Sequence, residues 1–300
     1  MLPCTLAIIV GCQSKPTIPV FDEQTAYRFL EKQCDFGPRN PNSAAHQACE
    51  NFLFSKLSET TDICRRQSFK YFDSARNDTL FLTNIIASYY PKNKQRLLLC
   101  AHWDCRPWAD EDPDSSNHTL PIMGANDGAS GVAVLLTIAD ILQKHEPAFG
   151  IDIAFFDGED YGTSGDTGNW LLGSKYFAKN LSGYRPIGVI LLDMIGDADL
   201  QIHKEHYSAT YGSWLVDRVW TAAALENAAS FLPDVKEMIY DDHIPFLQAG
   251  IPAIDIIDKD YPYWHTLADT PDKCSPHSLG QVGRAVIRAI YDRDLKLEGN

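Results

Sequence analysis

Four stretches of nearly unbroken apolar residues stand out along the chain: RLLLCAH (96–102), GIDIAFF (150–156), IGVILLDMI (187–195) and GIPAIDII (250–257). Each has strand length, and their apolar residues run on instead of alternating with polar ones, as in strands covered on both faces. Helical spacing fills the intervals. It predicts helices at GVAVLLTIADILQKH (131–145), WLLGSKYFAKN (170–180), residues 212–229 and HIPFLQAG (243–250), and an amphipathic one at SPHSLGQVGRAVIRAIYD (275–292). Upstream, residues 22–35 and 43–59 predict two helices, with Asn42 or Ser43 as N-cap of the second. TLFLTNIIASYY (79–90) predicts a strand, joined to 96–102 through the turn-like PKNKQ.

Strand and helix alternate, and no polar linker or 20–50-residue repeat interrupts them. The expected fold is a three-layer α/β sandwich: a central, twisted, mostly parallel (mixed) sheet with helices on both faces, in one domain spanning residues 22–300. Ligands in such folds bind at the carboxyl ends of the strands. Residues 105–123, rich in Pro, Asp, Ser and Asn, form a loop long enough to suggest function, and residues 162–169 form a Gly-rich loop.

With 26 basic against 40 acidic residues the net charge is −14, and no run of Lys or Arg could track phosphates, which argues against nucleic acid. The eight cysteines include no CxxC pair and so no thiolate zinc site. They read as buried thiols, with an oxidised Cys100–Cys105 pair as the alternative. At the start, LAIIVGCQS resembles a bacterial lipobox, with Cys12 as a candidate lipid anchor. Residues 1–12 are then a signal-like segment and 13–21 a tether, although no basic n-region precedes the apolar run. The alternative is a chance apolar tail. On the lipobox reading the protein is a lipoprotein of the bacterial cell envelope, facing the periplasm.

Polar residues gather at the predicted strand ends. His102 and Asp104 follow LLLCA, Asp127 precedes a helix, Glu159 and Asp160 follow IAFFDG, Asp193 ends VILLD, Asp255 lies in IPAIDII, and His265 follows the last strand. Taken singly, each is as well explained by a cap or a turn. Together they suit a metal centre, because Asp and His ligands with one open position describe catalytic zinc.

The segments AHWDC, GANDGASGVAVLL, FFDGEDYG, LLDMIGD and YWHTLADTPD, in this order, resemble the zinc-dependent aminopeptidase family. DDHIPFLQAGIPAIDII followed by YWHT resembles its glutaminyl cyclase branch, in the bacterial form. The resemblance covers about residues 95–290. It implies Asp127, Asp160 and His265 as ligands of one zinc, Glu159 as catalytic acid/base with Asp193 and Asp241 supporting it, and Trp264 in the substrate pocket. His102 and Asp193 match a second metal position in the family's peptidases, with Asp104 orienting His102, so residue identity leaves a second zinc open. The family's animal cyclases have Glu-Glu where this chain has Glu159-Asp160. They also carry an indole soon after that pair that has no counterpart at matching spacing here, leaving Trp103, Trp108 and Trp170 as substitutes. The family's cis peptide after the metal aspartate would fall at Asp127–Gly128.

The implied activity is conversion of N-terminal Gln of peptides and proteins to pyroglutamate with release of ammonia, by a chain read as a monomer. A two-zinc aminopeptidase is the alternative, and a non-catalytic binding lipoprotein the second. Simpler readings apply elsewhere. Asp241 or Asp242 is a candidate helix cap, His243 a helix-start residue, and His46, His118, His145, His203, His206 and His277 are expected on the surface.

Overall fold

A computed structural model describes residues 18–163 and 168–295. The lipobox-like segment with Cys12 and most of the tether lie outside the described residues, as does part of the Gly-rich loop. The tether's last residues are not free-standing, because the ring of Phe21 packs against Gly283 in the core.

Among the described residues eight strands form, in chain order: β1 (Cys64–Asp73), β2 (Asp78–Tyr89), β3 (Arg96–His102), β4 (Gly150–Phe156), β5 (Gly188–Asp193), β6 (Ile202–Lys204), β7 (Phe231–Val235) and β8 (Ala253–Ile257). The helices are α1 (Glu23–Cys34), α2 (Ala44–Thr60), α3 (Ala129–Leu142), α4 (Leu172–Lys179), α5 (His206–Tyr211), α6 (Ser213–Leu225), α7 (Ile244–Gln248) and α8 (Pro276–Tyr291). Six strands make one mixed sheet in the order β1-β2-β4-β3-β5-β8. Its β4-β3-β5-β8 part is parallel and its β1-β2-β4 part antiparallel.

The apolar runs are continuous because both faces of the sheet are covered. Along β3, Leu97, Leu99 and Ala101 point into the core formed with α1, α3 and α8. Leu98 and Cys100 point the other way, towards Phe177 of α4 and Phe246 of α7. β5 repeats the division, with Ile190 and Leu192 on the first face and Val189 and Leu191 on the second. This is the expected three-layer sandwich. β1 lacks any such signal. Its alternating CRRQSFKYFD lies on the sheet edge, largely exposed on the side that the core does not reach, and pairing with β2 holds it in place.

Several expectations change in detail. Ser43 caps α2 by accepting the His46 N–H at 3.0 Å. The predicted helix 170–180 begins at Leu172 instead, after Leu171 with φ 58°. Helix 212–229 ends at Leu225. Neither Asp241 nor Asp242 caps α7: their carboxylates accept the Asp242 N–H and the Ser174 hydroxyl instead. Cys100 and Cys105 are free buried thiols, as are Cys34, Cys49 and Cys274. No helix among the described residues is long and apolar enough to cross a membrane.

At Gly131, near the start of α3, an added Cβ would lie 2.1 Å from the Leu192 carbonyl oxygen of β5 and 2.9 Å from Ala101 Cβ. Backbone cannot step aside as a side chain can. Gly131→Ala is expected to cost about 1–3 kcal/mol, read as a lower melting temperature in thermal unfolding. An unchanged melting temperature would contradict this close helix–sheet packing.

Candidate functional site

The parallel strands deliver their terminal residues to one edge of the sheet. His102 is the last residue of β3 and Asp193 the last of β5. Glu159 and Asp160 follow β4 in a tight turn, Asp127 precedes α3, Asp241 precedes α7, and His265 lies in the turn after β8 with φ 55°. A non-glycine residue in the left-handed region costs free energy, which the surrounding structure must offset. All seven side chains are buried.

Among the described residues two groups could each hold a metal ion: Asp127 with Asp160 and His265, and His102 with Asp127 and Asp193. In the first, His265 Nε2 lies 3.1 Å from Asp160 Oδ1 and 3.7 Å from Asp127 Oδ2. Asp160 Oδ2 is buried and has no hydrogen-bond partner. Two carboxylates and an imidazole converge there with one oxygen unsatisfied, a donor set that fits zinc with a position left open. The second group is closed on itself: His102 Nε2 is 3.1 Å from both Asp127 Oδ1 and Asp193 Oδ1. Burial raises the Asp193 carboxyl above its ordinary value, and His102 opposes the shift.

Asp104 is 3.6 Å from His102 Nδ1, beyond hydrogen-bonding distance. Its carboxylate instead accepts the Glu159 N–H at 3.1 Å and the Asp160 N–H at 3.4 Å. Asp104 thereby fixes the turn that aims the two acids apart. The Glu159 side chain enters the pocket. Burial pushes its carboxyl well above the ordinary value; His102 opposes the shift, while Asp241 and Asp160 add to it. Burial and Asp193 likewise push Asp241 up to about 7.

The pocket has a volume of about 320 Å³. Acids line its floor, while Trp170, Trp264, Ile239 and Ile257 stand in its walls. Trp264 stacks on the His265 ring at 3.7 Å between centroids, and Trp170 lies 6.0 Å from the same ring. Trp103 does not line the pocket, contrary to expectation. It is fully buried behind β3, stacked on His46 at 4.3 Å, with its indole N–H donating to the Thr83 carbonyl. Trp108 packs on Tyr161, away from the pocket.

A family model described as peptidase family M28 matches residues 84–290. The chain belongs to peptidase family M28. Among solved structures it is similar to a glutaminyl cyclase from Bacteroides thetaiotaomicron bound to N-acetylhistamine, with a TM-score of 0.88 and 40% identity over 92% of this chain and 100% of that one. It is equally similar to a leucine aminopeptidase precursor from the same organism, with a TM-score of 0.89 and 40% identity over 93% of this chain and 99% of that one. Bovine glutaminyl-peptide cyclotransferase is 26% identical over 241 residues, which are 67% of this chain and 63% of that one.

In this M28 chain the Asp127–Gly128 peptide is trans, against expectation, since no cis bond occurs among the described residues. Gly128 makes the turn with φ 103°, and a Cβ there would lie 2.3 Å from the Asp104 carbonyl oxygen. Three supports of the site escaped the sequence reading. Asp269 accepts the N–H groups of Asn126 and Asp127 at 2.8 and 3.1 Å, holding the loop that presents Asp127. Arg39, fully buried, donates to the carbonyls of Trp103, Met123 and Gly124. Arg106 donates to Asp160. Asp269 lies within the quoted YWHTLADTPD, but nothing local marks it as an anchor for a loop more than a hundred residues away. His46, expected on the surface, is buried and 2.8 Å from Asp157, because the α2 face that carries it packs on the sheet.

Proposed function

We propose that this M28 protein is a glutaminyl-peptide cyclotransferase that uses one zinc held by Asp127, Asp160 and His265. The carrying observation is the convergence of Asp127, Asp160 and His265 in one pocket with Glu159, a carboxylate that belongs to neither possible metal group. In the other group His102 Nε2 lies 3.1 Å from both Asp127 Oδ1 and Asp193 Oδ1, so these side chains pair with one another without a second ion. The similarity to bacterial glutaminyl cyclases over nearly the whole chain supports the same reading.

Cyclisation joins the α-amine of an N-terminal glutamine to its own side-chain amide carbon, and ammonia leaves. Both groups belong to one residue, so the entropic cost of bringing them together is small. Zinc, when bound, would polarise the amide oxygen. Glu159 takes a proton from the attacking nitrogen and returns it to the departing one, and its raised affinity for protons suits that shuttle. Asp241 raises the proton affinity of Glu159, and Asp193 acts through Asp241, whose carboxyl it pushes up. Trp264 and Trp170 flank the glutamine side chain and exclude water, against which the amide would otherwise be hydrolysed.

The test uses a Gln-initiated and an Ala-initiated peptide with purified protein. Loss of one ammonia from the first, with the second left intact, is the expected outcome; release of free alanine would overturn the reading. That the His102, Asp127 and Asp193 group also converges favours a two-zinc aminopeptidase as the second reading, and the same peptides separate the two. The pH profile has a definite sign. Only the neutral α-amine attacks, and its pKa is about 7.7–8.0; Glu159 must also be ionised to accept the proton. Both requirements make kcat/KM rise from neutral to mildly alkaline pH, and a profile falling over that range would contradict the scheme.

A further inference from the structure

Arg106 and Asp110 have no part in the chemistry above, yet they touch both outer ligands of the proposed zinc site. The guanidinium is buried and its donors are divided between two carboxylates. Nε and Nη2 donate to Asp110 Oδ1 and Oδ2, each at 2.6 Å. Nη1 donates to Asp160 twice, to its Oδ1 at 3.0 Å and to its backbone carbonyl at 3.2 Å. The planar face lies over the Trp170 ring, with Cζ 4.8 Å from the centroid. The same Asp110 Oδ1 sits 3.6 Å from His265 Nδ1, on the side of the imidazole opposite the nitrogen that faces Asp160 and Asp127.

We infer that Arg106 and Asp110 form a clamp that positions Asp160 and His265 together for the metal. The inference rests on the ligand assignment proposed above. By occupying Oδ1, Arg106 leaves Oδ2 as the oxygen of Asp160 without a protein partner. It also fixes the backbone at Asp160, where an aspartate reaches one methylene less far than a glutamate and misplacement is harder to absorb. Asp110 Oδ1 lies at ion-pair distance from the outer nitrogen of His265, not in a hydrogen bond to it, and its negative charge favours a proton on that nitrogen, which leaves Nε2 free to ligate. Because one guanidinium holds both acids, the two ligands cannot drift independently. A lysine cannot do this: it is a point charge without the planar fork. The residues recur at short spacing in HWDCRPWAD (102–110), so one segment supplies His102, Asp104, Arg106 and Asp110 to the site.

The test measures zinc affinity by competition with a chromophoric chelator, and the visible spectrum of the cobalt-substituted protein, for the wild type, Arg106→Met, Arg106→Lys and Asp110→Asn. Outer groups that orient ligands are typically worth about 10–100-fold in metal affinity. Arg106→Met is expected to weaken zinc by that factor and to alter the cobalt spectrum, with Arg106→Lys failing to restore either. Asp110→Asn keeps the volume and leaves Arg106 paired with Asp160, so it reports on the clamp even if Arg106→Met does not fold. It is expected to weaken zinc several-fold. Zinc affinity and cobalt spectra matching the wild type in every folded variant would overturn the clamp. The cyclase reading stands or falls separately, on the peptide products.

Discussion

Glu159→Gln is expected to fold, to bind zinc as the wild type does, and to lose about 10²- to 10⁴-fold in kcat on a Gln-initiated peptide. The replacement is isosteric, and the Asp104 hydrogen bond to the residue 159 backbone N–H does not depend on the side chain. What disappears is the capacity to accept a proton from the attacking amine. The neighbouring Asp160→Asn should behave differently, losing zinc affinity as well as turnover, because that carboxylate converges with Asp127 and His265. Metal content measured beside kcat thus separates the two adjacent acids. If Glu159→Gln keeps turnover within about tenfold of wild type, proton transfer lies elsewhere and the assignment of the pair is wrong.

Removal of the metal should have an effect of comparable size. Stripping zinc with a chelator leaves Asp127, Asp160 and His265 without their ion, and the loss of amide polarisation is worth several kcal/mol, on the order of 10³-fold in rate. Activity on the Gln-initiated peptide is expected to return fully at about one zinc per chain, in line with a single-ion open site. His102→Ala tests the same point. With one zinc it should keep most of the turnover, since His102 then only shares hydrogen-bonding distance with Asp127 and Asp193. A requirement for a second equivalent of zinc, together with cleavage of the Ala-initiated peptide, would establish the peptidase reading instead.

The layered fold and the location of the site were legible in the sequence for a clear reason. A strand buried on both faces must be apolar throughout, so β3, β4, β5 and β8 stand out as runs, and a His, Asp or Glu just beyond such a run has few places to go other than the sheet edge where ligands bind. His102, Glu159, Asp160 and Asp193 could be read in that way, whereas Asp127 stood out only ahead of α3 and His265 only within YWHT. Tertiary structure decided what depends on partners distant in the chain. Residue type does not say whether an indole faces a pocket or the core, and packing put Trp264 and Trp170 at the site and Trp103 against His46. The same holds for His46, which its polar neighbours place on the surface and α2 turns inward towards Asp157. Arg39, Asp269 and the Arg106–Asp110 pair act through hydrogen bonds to segments elsewhere in the chain or to a turn that only folding brings near. Local pattern therefore determined which residues reach the site, because burial is written into periodicity. Orientation there, including which oxygen of Asp160 remains without a partner, was set by contacts that exist only once the chain has closed.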